Sequence, residues 1–167
     1  MSLANSNIDL ERKLENALAV RLKQQTALAK LRMRRTSEDS PKINQDLIIS
    51  AKRGEGNPPF SGIYDMEVTC TFTMLHRKSV DTLPLFLRMC AAMEEVFSVG
   101  TYPLAAQLSL CAEFFYCYEI AVTGKDDTPE EKKHKCMWTL SAIAMSQSYA
   151  NAAAIQVETI DPYNPPS

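Results

Sequence analysis

No stretch of this sequence stays apolar for the roughly 18 residues that a membrane-crossing helix needs. The richest run, Trp138 to Met145, is short and carries Thr139 and Ser141, so no membrane partner is expected. The N-terminus, Met-Ser-Leu-Ala-Asn-Ser-Asn-Ile-Asp, has neither a basic n-region nor an apolar h-region, and no secretory signal is read there. Charge of one sign is also missing. Eighteen basic residues against 20 acidic ones leave a net charge of −2, which exerts no general pull on nucleic acid or an acidic membrane. No Cys-x-x-Cys occurs, and His76 and His134 follow no ligand spacing, so neither zinc nor any other cofactor is expected.

Catalytic signatures are missing too. Gly54-Glu55-Gly56 lacks the Lys-Ser/Thr and the strand-to-helix setting of a phosphate loop and reads as a turn. Glu94 and Glu95 are adjacent on a helical stretch, where side chains diverge, and read as solvent charges. Asp126-Asp127 and Glu130-Glu131 are interspersed with Lys125, Lys132 and Lys133. They have neither the alternating ligands nor the turn glycine of a calcium loop. Glu119 is a carboxylate inside an apolar strand. It reads either as a buried acid with a raised pKa or, preferably, as a residue on a face turned to solvent or another subunit. Cys111 or Cys117 with His134 would imitate a nucleophile pair, but nothing in the sequence places them together. The chain is therefore expected not to be an enzyme.

What is present begins with size. A chain of 167 residues fits one domain and buries roughly 70% of its unfolded surface without a metal or disulfide staple. The five cysteines, Cys70, Cys90, Cys111, Cys117 and Cys136, are odd in number and lie in apolar or strand-like contexts. They read as small buried hydrophobes in a reducing compartment.

The organising stretch is Ile63 to His76. Tyr64, Met66, Val68, Cys70, Phe72 and Met74 alternate with Asp65, Glu67, Thr69, Thr71 and Thr73. That period of two predicts a long strand with one apolar and one polar face. Before it, Leu10, Leu14, Ala17, Leu18 and Leu22 recur at three- and four-residue intervals, predicting a helix from Ser6 or Asn7. Leu28 and Leu31 would extend it over about 7–34, with Thr26 to Lys30 the place for a break. Lys30, Arg32, Arg34 and Arg35 then form a basic run. One reading is a contact with phosphate, including DNA, or with an acidic neighbour. The preferred reading is positive charge at the negative end of a helix. A linker is expected over 36–42, then a strand around Leu47-Ile48-Ile49-Ser50-Ala51 pairing antiparallel with the long one.

A second helix is expected after an Asp81 or Thr82 cap, with Pro84 in its first turn and Leu83, Phe86, Leu87, Cys90, Met93 and Phe97 as its buried stripe. Met89 and Val96 fall on the margins, and the stripe should cover the long strand's apolar face. Tyr102 to Cys111 is either a short helix or an extended lead-in. Phe114 to Thr123 predicts a strand with Phe114, Tyr116, Tyr118, Ile120 and Val122 on one side, more buried than the long strand because it is more apolar. It forms a hairpin, across a charged loop at 124–134, with a strand over 135–147 that sets Cys136, Trp138, Leu140 and Ala142 opposite Met137, Thr139, Ser141, Ile143 and Met145. From Ser148 the periodicity stops. Residues 148–167 read as an extended arm after a single domain over 1–147.

The expected fold is α+β: a single antiparallel or mixed sheet of about four strands with two main helices on one face. Its sequence is carried by Leu10-Glu11-Arg12-Lys13-Leu14-Glu15-Asn16-Ala17-Leu18, Asp46-Leu47-Ile48-Ile49-Ser50-Ala51, Pro59-Phe60-Ser61-Gly62-Ile63-Tyr64-Asp65-Met66-Glu67-Val68 and the 114–147 hairpin. Over residues 8 to 147 this layout resembles the small neck and tail-completion proteins of tailed bacteriophages, the tail-terminator-like group. The resemblance implies one sheet with helices on one face, a hexamer-like homo-oligomeric ring at the head–tail junction, other neck or tail proteins as partners, and a place in the virion after assembly in the host cytoplasm. The chain departs from that group in the basic run and the proline-rich arm. Subunit contacts are expected at Asp65, Glu67, Thr69, Thr71 and Thr73, at Lys125, Asp126 and Asp127, and at Ile155, Val157 and Tyr163 of the arm. The alternative is a dimeric, non-catalytic α+β adaptor or regulatory domain that binds a peptide or small molecule.

Overall fold

A computed structural model describes residues 3–35, 45–59, 61–77, 81–127 and 130–146. The chain is α+β. Helices α1 (Leu3–Lys23), α2 (Leu83–Phe97) and α3 (Thr101–Ser109) accompany strands β1 (Met33–Arg35), β2 (Gln45–Gly56), β3 (Ile63–Leu75), β4 (Phe115–Asp126) and β5 (Lys133–Ser146). The five strands form one sheet in the order β1-β2-β3-β5-β4. Only the β1–β2 pair is parallel; β2–β3, β3–β5 and β4–β5 are antiparallel. The long strand is therefore the sheet's centre.

Its period-two pattern sets the architecture. Met66, Val68, Cys70, Phe72 and Met74 are all buried. Opposite them in register lie the buried Leu47, Ile49 and Ala51 of β2 and Cys136, Leu140 and Ala142 of β5. These residues make one continuous inner face. Helix α1 covers much of it, contacting β2, β5 and β4, with Leu10, Leu14, Ala17, Leu18 and Leu22 buried. Helix α2 adds Phe86, stacked on Phe72 at 5.2 Å, and Phe97, edge-on to the buried Trp138 at 5.8 Å. Such aromatic pairs contribute about 0.5–1.5 kcal/mol beyond their buried area. The cover is thus shared between α1 and α2 rather than given by α2 alone.

Several expectations are corrected. Helix α1 starts at Leu3, so Ser6 and Asp9 lie inside it and are not its cap; inside a helix they cost only fractions of a kcal/mol. It ends at Lys23, within the expected span but well short of residue 34. A single 3-10 turn, Thr26–Leu28, follows. Leu28 and Leu31 are buried as expected, but from the turn and the lead-in to β1. The basic run is therefore not a helix end: Arg34 lies in β1, opposite Ile48.

The buried face of α2 comprises Phe86, Met89, Cys90, Met93, Val96 and Phe97. Met89 and Val96 join the core, while Leu83 and Leu87 are exposed. The physical reason is that the buried stripe spans the 220–340° sector measured from Leu83 at 100° per residue, which takes in Met89 and Val96 and leaves Leu83 and Leu87, at 0° and 40°, outside it. Thr82 is the cap position, and the Leu83 N–H donates to Asp81 Oδ1 at 3.1 Å. Tyr102 to Cys111 resolves largely as α3.

Strand β4 is the largest correction. It is an edge strand, not a more buried one, and Tyr116, Tyr118 and Val122 are exposed. Its register shifts between Cys117 and Glu119 and again between Val122 and Gly124. A bulge shifts the alternation by one. Phe115 and Cys117 therefore point inward before it, and Ile120 after it. The contacts expected at Ile155, Val157 and Tyr163, the rest of the 148–167 arm and the 36–42 linker lie outside the described residues.

Candidate functional site: the uncovered face of the sheet

All three helices lie on the inner side, so the opposite side of the sheet has no cover from its own described chain. Alternation delivers a defined set of residues there. Strand β3 contributes Asp65, Glu67, Thr69, Thr71 and Thr73; β2 contributes Ile48, Ser50 and Lys52; β5 contributes Met137, Thr139, Ser141, Ile143 and Met145. The register draws them into rows. Ser50, Thr69 and Thr139 form one row, and Ile48, Thr71 and Met137 the next. Lys52, Glu67 and Ser141 form a charged row beside them. Shallow grooves run along this face between Ile48, Ser50, Lys52, Glu67, Thr69 and Thr71.

The centre of the face is hydroxyl and aliphatic rather than charged, and Thr69, Thr71, Thr73, Thr139 and Ile143 are only half-exposed. At its β4 rim, Tyr116 and Tyr118 pack at 4.7 Å, and the Tyr118 hydroxyl lies 3.0 Å from Met145 Sδ. The five β3 residues expected as contacts are thus brought together on one surface. Lys125 is not with them. It faces the helix side, where its Nζ lies 2.6 Å from Glu94 Oε1. Asp126 and Asp127 are exposed near the hairpin end.

Three other clusters complete the inventory. Glu94 accepts from Trp138 Nε1 at 3.2 Å as well as from Lys125. It is therefore tied into the structure, unlike Glu95, which is exposed as expected. The Lys125 hydrogen bond holds the Glu94 carboxyl below its ordinary range; desolvation opposes this and the Trp138 N–H assists it.

In the basic run, Arg34 donates through Nε to Asp46 Oδ2 at 2.7 Å, with Nη2 at the same distance. Both side chains are nearly buried, so this charge is consumed internally, while Lys30 and Arg32 stay exposed. Sequence reasoning missed the pair because β1, at three residues, is too short to show a period.

The cysteines carry free thiols, and all but Cys111 are buried. Burial pushes Cys70, Cys90 and Cys117 up to about 12 and Cys136 to about 11. They are poor nucleophiles. Cys117 pairs across from Ala144, and His134 from Met74. They are therefore about 33 Å apart along the sheet and cannot act together. Glu119 is half-exposed beside the β4 bulge, opposite Ile143. Among the described residues no group of three or more His, Cys, Asp or Glu side chains could hold a metal, and no helix is long and apolar enough to cross a membrane.

These features define a single open α+β sheet, layered with helices on one side and with no described helix on the other. The chain matches no protein-family model and no curated protein.

Proposed function

We propose that this chain is a structural subunit of a closed homo-oligomeric ring, a neck or tail-terminator protein that joins head and tail in a phage virion. The observation that carries the reading is a pair of unlike, partly apolar surfaces on opposite sides of the molecule. One is the threonine-centred face of the sheet. The other is the exposed flank of α2 that carries Leu83 and Leu87. A ring closes through heterologous contacts, so each copy must present two different complementary patches. A chain working alone gains nothing from exposed leucines on a helix whose other side already fills the core.

The layout of one sheet with helices on one face is also what the resemblance to tail-terminator-like proteins implies. DNA passing such a ring would meet Lys30 and Arg32 rather than Arg34. The dimeric adaptor reading draws on the outer edge of β4, which no described strand pairs. That edge is broken by two register shifts, a feature that blunts strand-to-strand pairing.

Electron microscopy of the purified full chain tests the proposal, using Thr69→Arg/Thr71→Arg as the probe. Rings of uniform diameter that the double variant abolishes, with no change in melting temperature, support it. Monodisperse single particles from the unaltered chain refute it.

A further inference from the structure

Trp138 is the one tryptophan of the chain, and it floors an open notch on the helix side of the sheet. The notch exists because the helices run out before the strands do. Helix α3 packs against the start of β4, where the Ser109 hydroxyl donates to the Cys117 carbonyl at 3.3 Å. Helix α2 meets β5 at Trp138 through Glu94 and Phe97, and ends there. No described helix covers the second half of β4, where residues 122–126 are all exposed. Val122 and Lys125, opposite Leu140 and Trp138 in register, make one wall. Phe97 and Ser98 make the other.

The notch measures about 240 Å³. An apolar cavity of about 150 Å³ already takes a benzene ring, so this one has room for a ring with a substituent. Phe97 stands edge-on to Trp138 at 5.8 Å, and a third ring adds favourably to such a pair. The polar side chains, Glu94, Lys125 and Ser98, are half-exposed or exposed and so stand at the mouth. Both donors to Glu94 end on Oε1, which leaves Oε2 as an acceptor. An apolar notch with an acceptor at its mouth suits a phenol, ring inside and hydroxyl at the rim.

Residues past Ser146 lie outside the described part of the chain, but chain length fixes which of them reach the notch. Trp138 stands eight residues back along β5, about 26 Å from Ser146. Tyr149, three residues past Ser146, spans at most about 11 Å. Tyr163, seventeen residues past it, spans up to about 60 Å. Of these two tyrosines only Tyr163 reaches. Ile155, Val157 and Ile160 also come within range but bring no hydroxyl to Glu94.

We propose that this notch is the receptor for the C-terminal arm of the same chain, with the Tyr163 ring seated over Trp138 and its hydroxyl donating to Glu94. A tether of this length holds the ring near the notch at about millimolar local concentration, whatever the protein concentration. The contact lies within one chain and stands whether or not copies assemble into a ring.

Trp138 is the reporter. Its indole N–H, which donates to Glu94 at 3.2 Å, gives a single signal in nitrogen NMR of the full chain. Tyr163→Ala should shift that signal, and Tyr149→Ala, whose ring cannot reach, should not. In the Tyr163→Ala chain p-cresol, the free tyrosine side chain, should move the signal back saturably. The unaltered chain should need about tenfold more p-cresol, because the arm must first be displaced. Isotope-labelled Tyr163→Ala chains refolded together with unlabelled unaltered chains should keep the shifted signal. Three results each overturn the proposal: an indole signal indifferent to Tyr163→Ala, equal p-cresol titrations in the two chains, or a signal restored by refolding together, which puts a neighbour's arm in the notch.

Discussion

Glu94 is held by two donors at once, the Lys125 ammonium and the Trp138 indole N–H, and its charged form is the one they prefer. Its pKa lies below the ordinary 4.5. A carboxyl depressed by folding stabilises the native state fully above its unfolded pKa and loses that contribution as pH falls through the folded value. Urea midpoints measured from pH 6 down to about pH 3 should therefore fall more steeply for the unaltered protein than for Glu94→Gln. Equal slopes would show that Lys125 and Trp138 do not discriminate the ionised form. The thiols differ by exposure. Only Cys111 is part-exposed, so one thiol per folded chain should react promptly with a disulfide reagent at pH 8, and Cys111→Ser should remove that fast phase. At Asp46 the issue is an almost buried ion pair with Arg34, with exposures of 8% and 11%. Asp46→Ala leaves the guanidinium without this carboxylate and should cost about 3 kcal/mol in chemical denaturation.

At the scale of the element, legibility followed the length and purity of the period. Strand β3 repeats its alternation from Met66 to Met74 without a break and is readable with its faces correct; β5 repeats its own from Cys136 to Ala142, and the sequence separates its two sides without saying which is core. In β4 a bulge at Tyr118 shifts the phase, which no composition rule reveals, so Ile120 shares the inner face with Phe115 and Cys117 rather than the side of Tyr116 and Tyr118, and apolar content there does not mean burial. The stripe of α1 was legible through Leu22, but Leu28 and Leu31 satisfy helical spacing and burial from a turn alike, so spacing could not locate the helix end. The outer leucines of α2 defeated the reading for a similar reason: a helix apolar on more than one side does not declare which side is core. Two element-scale substitutions check the packing. Leu14 of α1 is fully buried against the sheet, and Leu14→Ala should cost about 3 kcal/mol. Gly100 joins α2 to α3 at φ +124°, where an added Cβ would meet Pro103 Cδ at 3.2 Å. Gly100→Ala should therefore destabilise by about 1–2 kcal/mol, read as a lower urea midpoint with unchanged slope.

At the scale of the whole molecule, the candidate site was partly readable and partly beyond reach. The polar residues of β3 were identifiable as one face. Their neighbours from β2 and β5 were not, because strand order and register are long-range facts. The same limit hid the Arg34–Asp46 pair and the approach of the His76 ring to His134, with nitrogens 3.3 Å apart. In the proposed ring, the sheet face half-exposed at its threonine centre and the surplus leucines of α2 would both be contacts between copies. The mass of the full chain in solution tests that assignment most directly. Native mass spectrometry at micromolar concentration should show one closed species of about 112 kDa, six times the 18.7 kDa chain, reduced to the single-chain mass by Thr69→Arg/Thr71→Arg. A single-chain mass for the unaltered protein, or a stable dimer indifferent to those two substitutions, would contradict it.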